Sequence, residues 1–146
     1  MSDHLFLQVN GMPAPQGSKT KNRYGAVYES SKAVKPWREA VRAEIQRAMQ
    51  DRHPFEGPVE IRINFFLPRP KGHYGTGRNA GTVKARSPRW PTGVPDVDKL
   101  ARAVLDGITE GGAWKDDGQV VALIATKEYA GAGDKPGCSI QIMEES

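Results

Sequence analysis

A chain of 146 residues, 38% hydrophobic and 26% charged, is sized for one domain with one core and does not have the composition of a disordered protein. The formal charge of +4 points only weakly to nucleic acid, but it is unevenly placed, for neither 13–28 nor 69–92 contains an Asp or Glu. Cys138 is the single cysteine, which excludes an intramolecular disulfide and a multi-cysteine zinc site. No signal-like start or run of about 18 apolar residues supports export or membrane spanning, so a cytoplasmic location is expected.

In chain order, Leu5 to Val9 alternates weakly and predicts a first strand, and GMPAPQGSKTKNRYG, 11–25, reads as a loop. Val34, Trp37, Val41, Ile45, Ala48 and Met49 recur at helical spacing, with Pro36 tolerable in the first turn. Val59, Ile61, Ile63 and Phe65 alternate with Glu60, Arg62 and Asn64, the period of a half-buried strand. The stretch 68–91 has no period, much Gly and Pro and several basic side chains, which marks a functional or flexible loop.

Val97, Leu100, Ala101, Val104, Leu105 and Ile108 define a second amphipathic helix, with Gly111-Gly112 as its stop. Val120 to Tyr129 and Ser139 to Met143 read as closing strands, compatible with an antiparallel pair. The expected architecture is a single-domain α/β (α+β) fold spanning 1–146: a mixed sheet with both helices packed on it, and a flexible basic loop over 68–92.

Asp96, Asp98, Asp106, Asp116 and Asp117 fall within 22 residues, the first two at the mouth of the second helix. Helix capping and dipole complementation account for Asp96 and Asp98 separately, and a solvated turn accounts for Asp116-Asp117. Brought to one point, these hard oxygen ligands instead suit Mg²⁺ or Mn²⁺, whose charge offsets the carboxylates' mutual repulsion. Asp98, Arg102 and Asp106 are spaced i, i+4, i+8, so Arg102 can pair with either acid or reach a phosphate. Lys127 lies an even number of residues after Asp117, which on a continuous strand puts both on one face.

The segment PDVDKLARAVLDGITEGGAWKDDGQVVALIATKEY, with Asp-x-Asp at a helix head and Trp-x-Asp-Asp-x-Gln-Val entering a strand, resembles the central signature of the RusA family of Holliday-junction resolvases. PQGSKT is similar to phage-encoded members. The resemblance implies that Asp96, Asp98 and Asp117 bind metal, with Asp116 beside them. Arg102 stands where the family commonly has a catalytic lysine, and Lys99 where an Asn often follows the second Asp. It further implies a Mg²⁺-dependent endodeoxyribonuclease, with Mn²⁺ able to substitute, acting as a homodimer in DNA recombination and repair. Such a dimer would cut a four-way junction by paired incisions. Arg102, Lys127 or a loop lysine would assist electrostatically, and Lys19, Lys21, Arg23, Arg78, Lys84, Arg86 and Arg89 would hold phosphates.

Two rivals keep the DNA and change the activity: a non-catalytic branched-DNA-binding accessory protein, and a general flap or branched-DNA nuclease. A nucleotide site is disfavoured, because GMPAPQGSKT departs from the phosphate-loop spacing and its prolines remove backbone donors. Tyr24, Tyr28 and Tyr74 either stack on unpaired bases or pack locally. Trp114 and Trp37 are expected to be core anchors, and His4, His53 and His73 have no ligand spacing.

Overall fold

The alternating residues Val59, Ile61, Ile63, Phe65 and Leu67 all turn inward on one strand and form the centre of the core. In a computed structural model of the chain, residues 3–17, 19–21, 27–29 and 32–145 are described, 19–21 and 27–29 by backbone alone. The elements are β1 (His4–Asn10), β2 (Lys19–Lys21), β3 (Val27–Glu29), α1 (Val34–Ala48), β4 (Val59–Leu67), α2 (Val97–Gly111), β5 (Val120–Tyr129) and β6 (Gly137–Glu144). The two helices and the four main strands thus lie where the apolar periodicities place them. The pair β2–β3 is a finding against the sequence reading, for β2 falls inside the stretch read as loop.

The main sheet has the order β1-β6-β4-β5. Strands β1 and β6 pair antiparallel, as do β6 and β4, whereas β4 and β5 run parallel. The two closing strands are therefore not neighbours: β6 inserts between β1 and β4, and β5 becomes an edge. A parallel neighbour cannot be reached by a tight turn, so the chain crosses back over the sheet through α2.

Both helices cover one sheet face. Trp37, Val41 and Ile45 of α1 and Leu100, Val104 and Ile108 of α2 close over Ile61, Ile63, Phe65, Ile140 and Ile142. Each such side chain, fully buried, contributes about 1.5–3 kcal/mol. The opposite face carries Phe6, Gln141, Arg62 and Ile124 in one cross-strand row.

Small residues let the helices approach. A Cβ on Gly107 would stand 2.8 Å from Val41 Cγ1, and one on Gly111 would stand 2.7 Å from Ile45 Cγ2. Gly111 is therefore a packing residue inside the helix, and the stop falls on Gly112 alone, whose φ of 87° is left-handed. Gly107→Ala should consequently overpack the helix interface and lower stability by about 1–3 kcal/mol. Urea denaturation would measure this as a lower midpoint with an unchanged slope.

Candidate active site

The parallel crossover gives the sheet two chemically different ends. At the end where β4 and β5 finish, the chain enters α2 through Pro95, after a cis Val94–Pro95 peptide. The Lys127 ammonium on β5 donates to the carbonyls of Gly93 (2.6 Å) and Pro95 (2.9 Å), so it fastens this corner to the sheet. From the other side the Gln16 backbone N–H donates to the Lys99 carbonyl (3.0 Å), and the Arg38 guanidinium donates to Gln16 Oε1 at 3.2 Å. Pro13, Ala14, Pro15, Gly17, Asp96 and Lys99 line the resulting pocket of about 330 Å³.

Asp96 occupies the N-cap position with extended backbone, and its carbonyl accepts from Leu100 N at 3.0 Å. Its side chain makes no capping hydrogen bond. The carboxylate is exposed, with Lys99 Nζ 3.9 Å away. Asp98 in the first turn and Arg102 one turn later are exposed as well. Among the described residues Asp98, Arg102 and Asp106 form no ion pair with one another, which removes the simplest structural account of that stripe.

The opposite end holds Asp116 and Asp117. Trp114, buried as expected, donates its indole N–H to Thr109 Oγ1 at 2.7 Å and fixes the exit from α2. Asp116 caps a single 3-10 turn, Asp117–Gln119, by accepting from Gly118 N at 3.2 Å. Gln119 completes the bracket: its Oε1 accepts from Lys115 N (3.0 Å) and Asp116 N (3.4 Å), and its Nε2 donates to the carbonyls of Phe55 (2.8 Å) and Gly57 (3.0 Å). Asp116 is thereby committed to the turn, while Asp117 is exposed at its first position.

A single chain does not bring the two acid motifs together. Lys127, bonded to Pro95, is seven residues along β5 from Val120, about 23 Å at strand rise, and Asp117 lies still further back. Carboxylates on one Mg²⁺ each lie about 2.1 Å from the ion. Among the described residues no three Asp, Glu, His or Cys side chains stand close enough to share one ion. The residues of one chain therefore fit a hard divalent cation through Asp96 and Asp98, which two chain steps hold within about 7 Å, and not through Asp117. The even spacing of Asp117 and Lys127 also fails as a face argument, because Asp117 precedes the strand and the β4–β5 register shifts between Val59 and Glu60.

The basic segments flank the Asp96 end. The backbone of β2 carries Lys19 and Lys21, whose side chains, with all of Arg23 and Tyr24 and the Tyr28 side chain, lie outside the described residues. The long loop is clamped at its base, where the Arg69 guanidinium stacks 4.3 Å over the Tyr129 ring and donates to Pro88 O at 2.7 Å. His73 packs edge-on against the same ring. Further out, Gly75 N–Thr82 O (2.9 Å) and Lys84 N–His73 O (2.8 Å) close the loop on itself. Arg78, Lys84, Arg86 and Arg89 project from it into solvent, and Arg89 lies 5.2 Å from the ring of half-exposed Trp90. The sequence reading missed the Gln119 bracket, the Arg69–Tyr129 clamp and the exposed Trp90. The Gln of the Trp-x-Asp-Asp-x-Gln pattern was the available signal for the first, and an exposed Trp beside an Arg was the signal for the last.

Fold and site together define a one-domain α+β protein with exposed carboxylates at a helix mouth and a cationic loop beside them, the equipment of a phosphodiester-cleaving enzyme. The sequence profile of the family described as endodeoxyribonuclease RusA matches residues 10–143, and the chain belongs to that family. It is thus an endodeoxyribonuclease of the crossover-junction resolvase type, with branched DNA as its substrate class. No curated protein matches the chain. No helix among the described residues is long and apolar enough to cross a membrane.

Asp106, on α2 one turn beyond Arg102, is half-buried. Burial raises its pKa, and the charges of Asp117 and Glu110 add to the rise, against lowering by Arg38 and Arg102. An acid with a raised folded-state pKa is penalised in its charged form, so its cost to stability appears as pH rises through the carboxylate range and vanishes below it. Asp106→Asn should therefore melt at a higher temperature than the wild type at pH 7, with the difference closing as pH is lowered. A difference that widens on acidification would contradict this assignment.

Proposed function

We propose that the chain resolves four-way DNA junctions by metal-dependent phosphodiester hydrolysis, cutting symmetrically as a homodimer, with Asp96 and Asp98 at the cation and Asp117 as the third acid. The observation that carries the reading is the Asp96–Asp98 helix mouth: two exposed carboxylates at a rigidly fastened corner, the first holding the N-cap position without capping through its side chain. Mg²⁺, or Mn²⁺ in its place, would supply a polarised phosphate and a more acidic water. The chain's own residues do the rest. The cationic loop over 68–92 and the β2–β3 pair draw in the phosphate backbone, which fixes orientation without reading sequence.

Arg102 stands one turn from Asp98 and offers a planar fork to a phosphate oxygen. It does so as a permanent cation, because a guanidinium keeps its proton where a lysine can yield one. Lys127 acts as a positioning residue, holding the Gly93 and Pro95 carbonyls so that Asp96 enters the site at a fixed angle. The site of action is intracellular, in recombination and repair.

Junction cleavage should require a divalent cation while junction binding does not, and equal cutting in EDTA would overturn the proposal. Asp98→Asn is the discriminating variant, because asparagine serves a helix N-terminus about as well as aspartate but lacks the charge that holds a hard cation. It should keep the fold and the junction affinity. Single-turnover cleavage should fall by about 100-fold or more, which is about 2.7 kcal/mol of transition-state stabilisation. A wild-type rate, or a loss traced to unfolding, would favour a structural acid and an accessory DNA-binding role. Neutralising Arg78, Lys84, Arg86 and Arg89 together should weaken junction and duplex binding alike. The slope of log K against log salt should become shallower by about 0.9 for each phosphate that the protein no longer neutralises. An unchanged slope would place the loop off the DNA.

A further inference from the structure

Lys127 Nζ bonds to the carbonyls of Gly93 (2.6 Å) and Pro95 (2.9 Å), and these are the residues on either side of Val94. The corner clamped in this way holds Val94 outward. At 89% exposure it is the most exposed of the large apolar side chains among the described residues, and it stands two positions before Asp96. A lone exposed apolar residue is ordinary, but this one is fixed on both sides by a side chain from another strand and sits beside the acids of the site. Val94 and Pro95 also line two hollows: the pocket of about 330 Å³ that Asp96 lines, and a second of about 270 Å³ that includes Met12, Leu67 and Tyr129.

The first pocket suits a flat, largely apolar ring. Pro13, Ala14, Pro15 and Ala33 give it small walls whose side chains carry no hydrogen-bonding groups, and Asp96 and Lys99 are its charged lining residues. We infer that Val94 is a wedge that enters the base stack at the branch point, and that this pocket receives the unstacked nucleobase next to the scissile phosphate. The inference rests on the junction-cleaving reading and says how that site tells a branch from a duplex.

Contacts from the cationic loop to phosphates do not separate the two kinds of DNA, because branched and unbranched strands present the same backbone. Stacking does separate them. In a continuous duplex every base lies between two neighbours, whereas at a four-way junction the stack is interrupted where the strands exchange, so a side chain inserted there has less to displace. A wedge must also be rigid, since a mobile one would yield to the stack, and the Lys127 clamp supplies that rigidity. Asp96 lines the pocket and heads the acid site at once, so one nucleotide can lay its base against Pro13 and Pro15 and bring its phosphate to the carboxylates. A nucleotide that stays in the stack keeps its phosphate out of that corner, and cleavage follows unstacking.

Two measurements test this, and only one depends on cleavage. The first uses a four-way junction with 2-aminopurine at the nucleotides flanking the exchange point, bound in EDTA, because this base is dim within a stack and bright outside it. Saturating protein should raise the emission severalfold, acrylamide should quench the bound probe less than the free nucleotide, and the same probe in unbranched duplex should stay dim. Val94→Ser changes an exposed side chain that is no part of the core. It should bind the junction within about twofold of wild type, since the phosphate contacts remain, yet lose most of the rise, and Val94→Leu should keep it. A bound junction that stays dim, or a Val94→Ser complex as bright as wild type, would overturn the wedge. A bright base open to acrylamide would overturn the pocket.

The second measurement is single-turnover cleavage with Mg²⁺. Val94→Ser should cut the junction about tenfold more slowly than wild type, because the work of unstacking is left undone. An abasic nucleotide at the probe position should return that variant to near the wild-type rate, since no base then has to leave the stack. A loss that the abasic junction does not rescue would overturn the role given to Val94. Wild-type protein that brightens the shielded probe yet never cuts with metal present would refute the nuclease reading and leave the wedge and its pocket standing.

Discussion

The parallel pairing of β4 with β5 is the constraint from which the rest of the molecule follows. It forces the chain to travel the length of the sheet and return, and α2 makes the return journey, about 22 Å for its 15 residues. Everything at the head of α2 is consequently at the far end of the sheet from everything at its tail. Asp96 and Asp98 belong to the first end and Asp116 and Asp117 to the second, although only 18 residues separate Asp98 from Asp116 along the chain. The glycines at 107 and 111 serve the same constraint, because α2 must lie against α1 to cover the core that β4 presents.

Each end is then made rigid by a different device. At the Asp117 end the stiffness is local: a capped turn, a buried indole and a glutamine that bonds both to its own turn and to the segment before β4. At the Asp96 end it is assembled from distant parts of the chain, with Lys127 from β5, Gln16 from the segment after β1 and Arg38 from α1. Pre-organisation of this kind matters for a phosphodiester-cleaving site, since misplacement by about 1 Å can cost about 100-fold in rate. The cationic loop is joined to the same corner by the Arg69–Tyr129 stack, so the loop and the acids at the head of α2 share one mechanical base.

Much of the fold was legible because period reports which face an element buries. Val59 to Leu67 and the apolar stripe of α2 lie within a residue or two of where alternation and helical spacing put them. The β2–β3 pair was not legible, since three-residue strands in a stretch rich in Lys, Asn and Gly carry no period to detect. Nor was the insertion of β6 between β1 and β4, because alternation says which residues face the core and nothing about which strand lies alongside. Gly111 looked like part of a stop signal, but its neighbour across the interface, Ile45, is 66 positions away in sequence and only packing reveals it.

The candidate site divides in the same way. Residue type and clustering mark candidate hard oxygen ligands and basic loops, and the Asp-x-Asp and Asp-Asp motifs carry the family resemblance that the profile match bears out. Whether the two motifs meet within one chain is not legible from their closeness in sequence, because closeness in sequence across a helix is distance in space. The same crossover that separates the acids leaves β5 as a bare apolar edge with opposite charges at its ends. The separation of the two acid motifs and the exposure of the β5 edge therefore have one geometric origin.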